Sequence, residues 1–180
     1  MSFSHLRRFI FPVGTSVAFV LSTIAGVPDS ALAQLTPDMA ANIRIIVMST
    51  GNISNVRISG EVVRPVGFLS YNAYRNNRKV FVITIDELGK PRGSILLAFS
   101  GELENRPSKD KYNLLIDRTY LMEGSKQRFQ SDVIGNCNVD GDIEIRILKV
   151  KCLAVGRQDG RAYSFDFDYD GGKQDVLKFP

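Results

Sequence analysis

The segment Ser131–Asp170 reads SDVIGNCNVDGDIEIRILKVKCLAVGRQDGRAYSFDFDYD and contains both cysteines of the 180-residue chain. Two Asp-Gly pairs, at 140–141 and 159–160, divide it. Asp-Gly favours the positive φ angles of tight hairpin turns. Around these turns apolar and polar residues alternate, as they do in strands that bury one face. The segment therefore predicts three antiparallel strands joined by two tight turns.

The middle strand, predicted from Asp142 to Ala154, changes the phase of its alternation once. Isoleucines at 143, 145 and 147 share one face with charged residues opposite, whereas from Leu148 onwards the apolar residues occupy even-numbered positions. The adjacent pair Ile147–Leu148 marks the change. A β-bulge, or a bend where the strand passes between two sheets, would produce it.

Cys137 and Cys152 are predicted to form a disulfide, because an exported chain folds in an oxidising compartment. Geometry adds a condition, since a straight strand from Asp142 carries Cys152 about 33 Å from the turn. The five residues that follow Cys137 span at most about 18 Å, and bonded cysteines need Cα atoms within about 7 Å. Either the strand bends sharply at 147–148, or the thiols are unpaired or join two chains.

The N-terminus, residues 1–33, predicts a cleaved signal peptide. Arg7 and Arg8 precede an apolar run, Phe9–Ala25, and Ala31-Leu32-Ala33 is a small-residue cleavage site. A membrane anchor is the alternative, and a proline and a glycine inside the apolar run argue against it. We expect a periplasmic or secreted protein with one domain, 34–180, and no transmembrane span in the mature chain.

The rest of the chain adds strand-like segments to a total of about eight, spaced as in sandwiches and small barrels. Val80–Ile85 and Ile95–Phe99 are continuous apolar runs, typical of strands that are buried on both faces. Leu35–Asn42 predicts one short helix, because its Thr-Pro-Asp start is typical of a helix N-terminus. The predicted fold is a single antiparallel β-barrel or β-sandwich with a short N-terminal helix.

Several classes of activity are excluded by composition. The only histidine, His5, lies in the predicted signal peptide, so the mature chain cannot use a Ser-His-Asp or Cys-His mechanism or a histidine-containing zinc site. Removing the charges of that peptide from the 23 basic and 19 acidic residues leaves a net charge of about +3. That net charge is too small to indicate nucleic-acid binding. We also predict no cofactor.

The polar segment 67–79 is the first candidate site. Tyrosine and arginine are enriched in recognition surfaces, and three neighbouring cations could hold a phosphate, a sulfate or an acidic polymer. An exposed loop whose charges only maintain solubility is the alternative. The predicted binding residues are Tyr71, Tyr74, Arg75, Arg78 and Lys79.

The second candidate is Asp166-x-Asp168-x-Asp170-Gly, which matches the start of a calcium-binding loop. Leu177 stands where the closing glutamate should be, and the intervening aromatic residues are typical of a strand. A solvated strand face is the favoured interpretation, and calcium binding is the minority one.

The predicted function is that of an exported non-catalytic module. It would bind a small ligand inside a barrel, or an envelope polymer or protein through its loops. The aromatic stripe Tyr163, Phe165, Phe167 and Tyr169 could line such a ligand site or form the core. The alternatives are a carboxylate-dependent hydrolase, with two acids about 5–10 Å apart across a cleft, and a purely structural envelope protein.

Overall fold

The computed structural model describes residues 42–86, 95–123 and 126–179. The predicted signal peptide, and the predicted helix apart from Asn42, lie outside these residues; Asn42 is helical, and the described ranges after it contain no helical element. Ten strands are present in them: β1 (Ile43–Ile58), β2 (Glu61–Val62), β3 (Pro65–Tyr74), β4 (Lys79–Ile85), β5 (Ile95–Gly101), β6 (Glu104–Ser108), β7 (Lys111–Glu123), β8 (Lys126–Asp142), β9 (Arg146–Gly156) and β10 (Ala162–Lys178).

Eight of these strands close into an antiparallel barrel in the order β1–β3–β4–β5–β7–β8–β9–β10, with β10 paired to β1. The prediction of an antiparallel barrel or sandwich is thus confirmed in its barrel form. Because each barrel strand has hydrogen-bonded neighbours on both sides, none is an edge strand. Outside the barrel, β2 pairs with β1 and β6 pairs with β7. The charges and Pro107 of β6 disfavour the addition of a strand from another chain.

The barrel interior is filled by apolar side chains. Phe81 and Phe99 are fully buried, and each contacts another ring, with centroids 5.1 Å apart for Tyr71 and Phe81 and 5.2 Å apart for Phe99 and Phe165. Tyr163, Phe165 and Phe167 of the predicted stripe belong to the same core. The aromatic side chains of this core expose at most 4% of their surface, so they leave no room for a ligand among them.

The hairpin β8–β9 differs from its prediction in the position of the turn. The turn lies at 143–145, where the Asp142 carboxylate accepts a hydrogen bond from the Glu144 N–H at 3.1 Å. The predicted turn at 140–141 is wrong, because those residues belong to β8 and lie opposite a bulge. Asp140 pairs with Lys149 and Gly141 with Ile147, which leaves Leu148 as the extra residue. The predicted β-bulge at the phase change is therefore confirmed.

Cys137 and Cys152 form a disulfide inside the barrel. The two residues lie directly opposite each other in the β8–β9 register. The geometric condition that was derived from the sequence is wrong, because it placed the turn too early. The chain runs from Cys137 out to the turn at 143–145 and returns over a similar distance to Cys152. No sharp bend of the strand is needed.

β10 continues well beyond the segment that the sequence predicted. The pairing of β1 with β10 jumps from Gly51–Tyr169 to Ser49–Gln174, so residues 170–173 bulge out of the ladder. Gln174 then accepts hydrogen bonds from the Ser49 hydroxyl at 2.8 Å and the Ile147 N–H at 3.2 Å. Its side chain thereby ties β1 and β9 together where β10 closes the barrel.

Candidate functional site

The predicted binding segment 67–79 is largely strand rather than loop. Leu69, Tyr71 and Ala73 alternate inside the barrel along β3, and this alternation overrides the polar composition of the segment. Tyr74 instead packs partly buried on the outer face, in a cluster that includes Ile43. The predicted loop is reduced to one tight turn. This turn contains Arg75, which is exposed.

Arg78 is engaged by acidic residues of the protein itself. Its guanidinium donates hydrogen bonds to the Glu102 carboxylate at 2.6 Å and to the Asp117 carboxylate at 2.9 Å. It also donates to the Ser100 hydroxyl at 2.8 Å. These contacts join Arg78, which immediately precedes β4, to β5 and β7 at one end of the barrel. We call it the turn end because it carries the turns 75–78 and 143–145.

Lys79 is the buried member of a second network at the turn end. Its ammonium lies 2.9 Å from a carboxylate oxygen of Glu104, and the Tyr112 hydroxyl donates to the same oxygen at 2.9 Å. Burial by itself would raise the pKa of Glu104, but the hydrogen bonds from Lys79 and Tyr112 outweigh it and lower that pKa. Burial raises the pKa of Tyr71, which hydrogen-bonds to Tyr112, to about 12.

The structure thus brings Arg78 and Lys79 to one end of the barrel, but both cations have internal partners. Tyr71 lies inside the barrel, where a ligand at the surface cannot reach it. Recognition of an acidic ligand by these residues stays a prediction.

The three aspartates of β10 have separate partners. The Asp166 carboxylate accepts from the Asn55 amide at 2.6 Å, Asp168 pairs with Lys149 at 2.9 Å, and Asp170 accepts from the N–H of Gly172 at 2.8 Å. Across 42–86, 95–123 and 126–179, no group of three or more His, Cys, Asp or Glu side chains is placed to hold a metal ion. The pairing with Lys149 agrees with a solvated strand face.

We expect Asp168→Asn to leave the free energy of unfolding almost unchanged, because the Asp168–Lys149 pair is exposed and surface ion pairs contribute little to stability. Millimolar calcium should leave the melting temperature of the wild type and of the variant unchanged. Thermal unfolding with and without calcium chloride measures both quantities. A rise in melting temperature with calcium in the wild type alone would establish a calcium site at Asp168.

A pocket of about 260 Å³ opens at the opposite end of the barrel, which we call the pocket end. Phe129 of β8 lies on one side of it, and the β9–β10 turn at 157–161 lies on the other. Gly156 permits this arrangement, since a Cβ there would lie 2.1 Å from a carboxylate oxygen of Asp159. The lining residues are Phe129, Gln130, Ser131, Asp132, Gln158 and Asp159.

The two carboxylates of the pocket differ in their contacts. Asp159 accepts a hydrogen bond from the Arg161 N–H at 3.0 Å and lies 3.7 Å from the Arg161 guanidinium, so it stabilises the turn. The Asp132 carboxylate and the Gln158 amide make no hydrogen bond or ion pair with any residue that the structure describes. These two groups are therefore available to a ligand.

A row of exposed aliphatic side chains lies on the outer face of β7, β8 and β9. Leu115 and Leu153 flank Asn136 in the register, and Ile134 pairs with Val155. Between 42% and 61% of each of the four apolar residues is exposed. The row ends near the pocket. Asp132, a lining residue of the pocket, lies two positions before Ile134 and therefore on the same face of β8. Such contiguous exposed apolar groups are typical of interaction surfaces.

Sequence reasoning missed both the pocket and the row. The one available signal was Cys152-Leu153-Ala154-Val155, which is apolar on both faces of β9 and contains two members of the row.

Comparisons of this chain with protein-family models, with curated proteins and with solved structures found no match. In the described ranges, no helix has the length and hydrophobicity needed to cross a membrane. The fold and the site together define a closed eight-stranded barrel with a filled interior and a polar pocket on its outside.

Proposed function

We propose that this protein is an exported, non-catalytic module that binds an envelope polymer at the outer surface of its barrel. The filled interior is the observation that carries the proposal. An eight-stranded barrel either packs side chains inside or holds one small ligand there. Here Phe99, Phe165 and their neighbours occupy that space, so a partner has to bind outside.

Export is supported by the disulfide between Cys137 and Cys152. Stable disulfides are typical of the periplasm and the cell exterior and are rare in the cytosol. The predicted signal peptide at residues 1–33 favours the same location.

The pocket end supports binding rather than hydrolysis. A glycoside hydrolase needs two carboxyl groups that act on the substrate from opposite sides. Of the residues that the structure describes, two carboxylates line the pocket, but Asp159 is held by Arg161 in the turn and Asp132 alone has no ion-pair or hydrogen-bond partner. One free carboxylate can hold a hydroxyl group but cannot complete that mechanism.

Co-sedimentation with insoluble peptidoglycan, chitin and cellulose tests the proposal. We expect the purified protein to sediment with at least one polymer and to release no reducing sugar during prolonged incubation. An unrelated protein of similar size and charge serves as the control. Recovery in the supernatant with all three polymers would refute polymer binding, and release of reducing sugar would establish a hydrolase instead.

A protein partner is the second candidate, and the exposed row at Leu115, Ile134, Leu153 and Val155 favours it. Cross-linking in the native envelope would then give an adduct that Ile134→Lys abolishes. Ile145→Lys is the matched control, because Ile145 is equally exposed but lies in the β8–β9 turn, outside the row.

A further inference from the structure

Phe129 offers a fixed aromatic surface at the mouth of the pocket. Its ring stacks on Tyr163, with centroids 6.3 Å apart and planes inclined by 22°, while 39% of the residue stays exposed. Tyr163 is itself fully buried, and its hydroxyl lies 3.2 Å from the Ser59 hydroxyl. One face of the Phe129 ring is therefore supported from beneath, and the accessible part can pack against a flat ligand.

The polar groups around this ring both donate and accept hydrogen bonds. The Gln158 amide supplies two donor hydrogens and one acceptor oxygen, the Ser131 hydroxyl can do either, and the Asp132 carboxylate accepts. A sugar hydroxyl likewise donates and accepts. An ammonium ion would leave the amide donors unused, and a phosphate or carboxylate would be repelled by Asp132.

Charge and size narrow the ligand further. Among the residues that the structure describes, no lysine or arginine lines the pocket, and Arg161 compensates the charge of Asp159, so Asp132 carries the one uncompensated charge of this described lining. The volume of about 260 Å³ lies below the roughly 300–1,000 Å³ of pockets for drug-sized ligands. A pocket of this size suits one ring rather than an oligosaccharide.

We infer that the pocket binds a single neutral sugar unit of the polymer, with one face of the sugar ring on Phe129 and its hydroxyls on Ser131, which shares the face of Phe129 on β8, and on Gln158. The inference rests on the proposed function and names the chemical class of the ligand. It predicts that the polymer binds at the pocket end and that Arg78 and Lys79, at the turn end, do not contact it.

The test is an NMR titration of the full protein with glucose, N-acetylglucosamine, cellobiose and chitobiose as probes. We expect at least one probe to shift the signals of residues 129–132 and 157–159. Phe129→Ala should weaken that binding about tenfold, the equivalent of about 1.4 kcal/mol, and Phe129→Tyr, which keeps the ring, should restore most of it. Gln158→Ala removes an exposed side chain, so it should weaken binding without changing the melting temperature.

The outcomes distinguish failure of the inferred sugar site from failure of the proposed function. If Phe129→Ala and Gln158→Ala still sediment with the polymer as the wild type does, the proposed function holds and the sugar site at the pocket is wrong. If no sugar shifts the pocket signals, or if methylammonium shifts them and the sugars do not, the inferred ligand class is overturned. Failure of the wild type to sediment would instead refute the proposed function.

Discussion

Replacing Cys137 and Cys152 together with alanine is expected to lower the free energy of unfolding by about 3 kcal/mol. The disulfide closes a loop between residues separated by 15 positions, and the chain-entropy model assigns about 3 kcal/mol to a loop of this length. Both side chains are buried inside the barrel, so alanine leaves a small apolar gap and no unsatisfied polar group. Chemical denaturation of the oxidised wild type and of the variant measures the difference.

The corresponding serine pair is the informative control. Each serine hydroxyl would lie in an apolar interior, and an unsatisfied buried hydroxyl costs about 1–3 kcal/mol. We therefore expect the double serine variant to be less stable than the double alanine variant. Reduction should destabilise the wild type and leave both variants unchanged. Equal denaturation midpoints for wild type and the alanine variant would show that the disulfide contributes nothing to stability.

Glu104→Ala is expected to cost about 3 kcal/mol at neutral pH. Its partner Lys79 exposes only 8% of its side chain, so the variant leaves a buried ammonium without a counter-charge. Removing one member of a buried ion pair typically costs about 3–5 kcal/mol, and the partial exposure of Glu104 places the loss at the lower end. Glu144→Ala removes the exposed pair with Lys178 and serves as the matched control, with an expected loss below about 1 kcal/mol.

The effect of Glu104→Ala should depend on pH in a defined direction. Because the pKa of Glu104 is lowered in the folded protein from its ordinary value of 4.5, its carboxylate stabilises the fold above that value. This contribution is lost as the pH falls through the folded-state pKa. Unfolding curves from pH 7 downwards should show the difference between wild type and variant narrowing below about pH 4.5. A difference that stays constant into acid would contradict the proposed role of the carboxylate.

The alternation of apolar and polar residues predicted the strands, the bulge and the all-β class, because each of these features depends on a few adjacent residues. The turn at 143–145 was missed for a physical reason. Asp-Gly indicates a backbone position with positive φ, and Gly141, with a φ of 105°, meets that need within β8, opposite the bulge of β9, rather than in a turn. The same sequence signal thus serves two structures, and only the cross-strand register separates them.

Cross-strand contacts also explain why the site predictions and the structure differ. Asp166 and Asp168 lie opposite Lys151 and Lys149 in the β9–β10 hairpin, so the calcium-like spacing arises from a ladder of alternating charges. Counting residues along both strands from the turn at 157–161 would have placed these aspartates opposite these lysines. The pocket and the exposed row need the positions of three or more strands, which no local pattern contains.

Methyl and aromatic NMR of the full protein, titrated first with lauric acid and then with the sugar probes, tests most directly whether ligands bind outside a filled barrel. Lauric acid is an apolar probe of the interior. We expect it to leave the methyl signals of Leu97 and Leu114 unchanged, and we expect a sugar to shift the ring signals of Phe129. Shifts of Leu97 and Leu114 with lauric acid, and none of Phe129 with any sugar, would contradict the filled interior and the external site together.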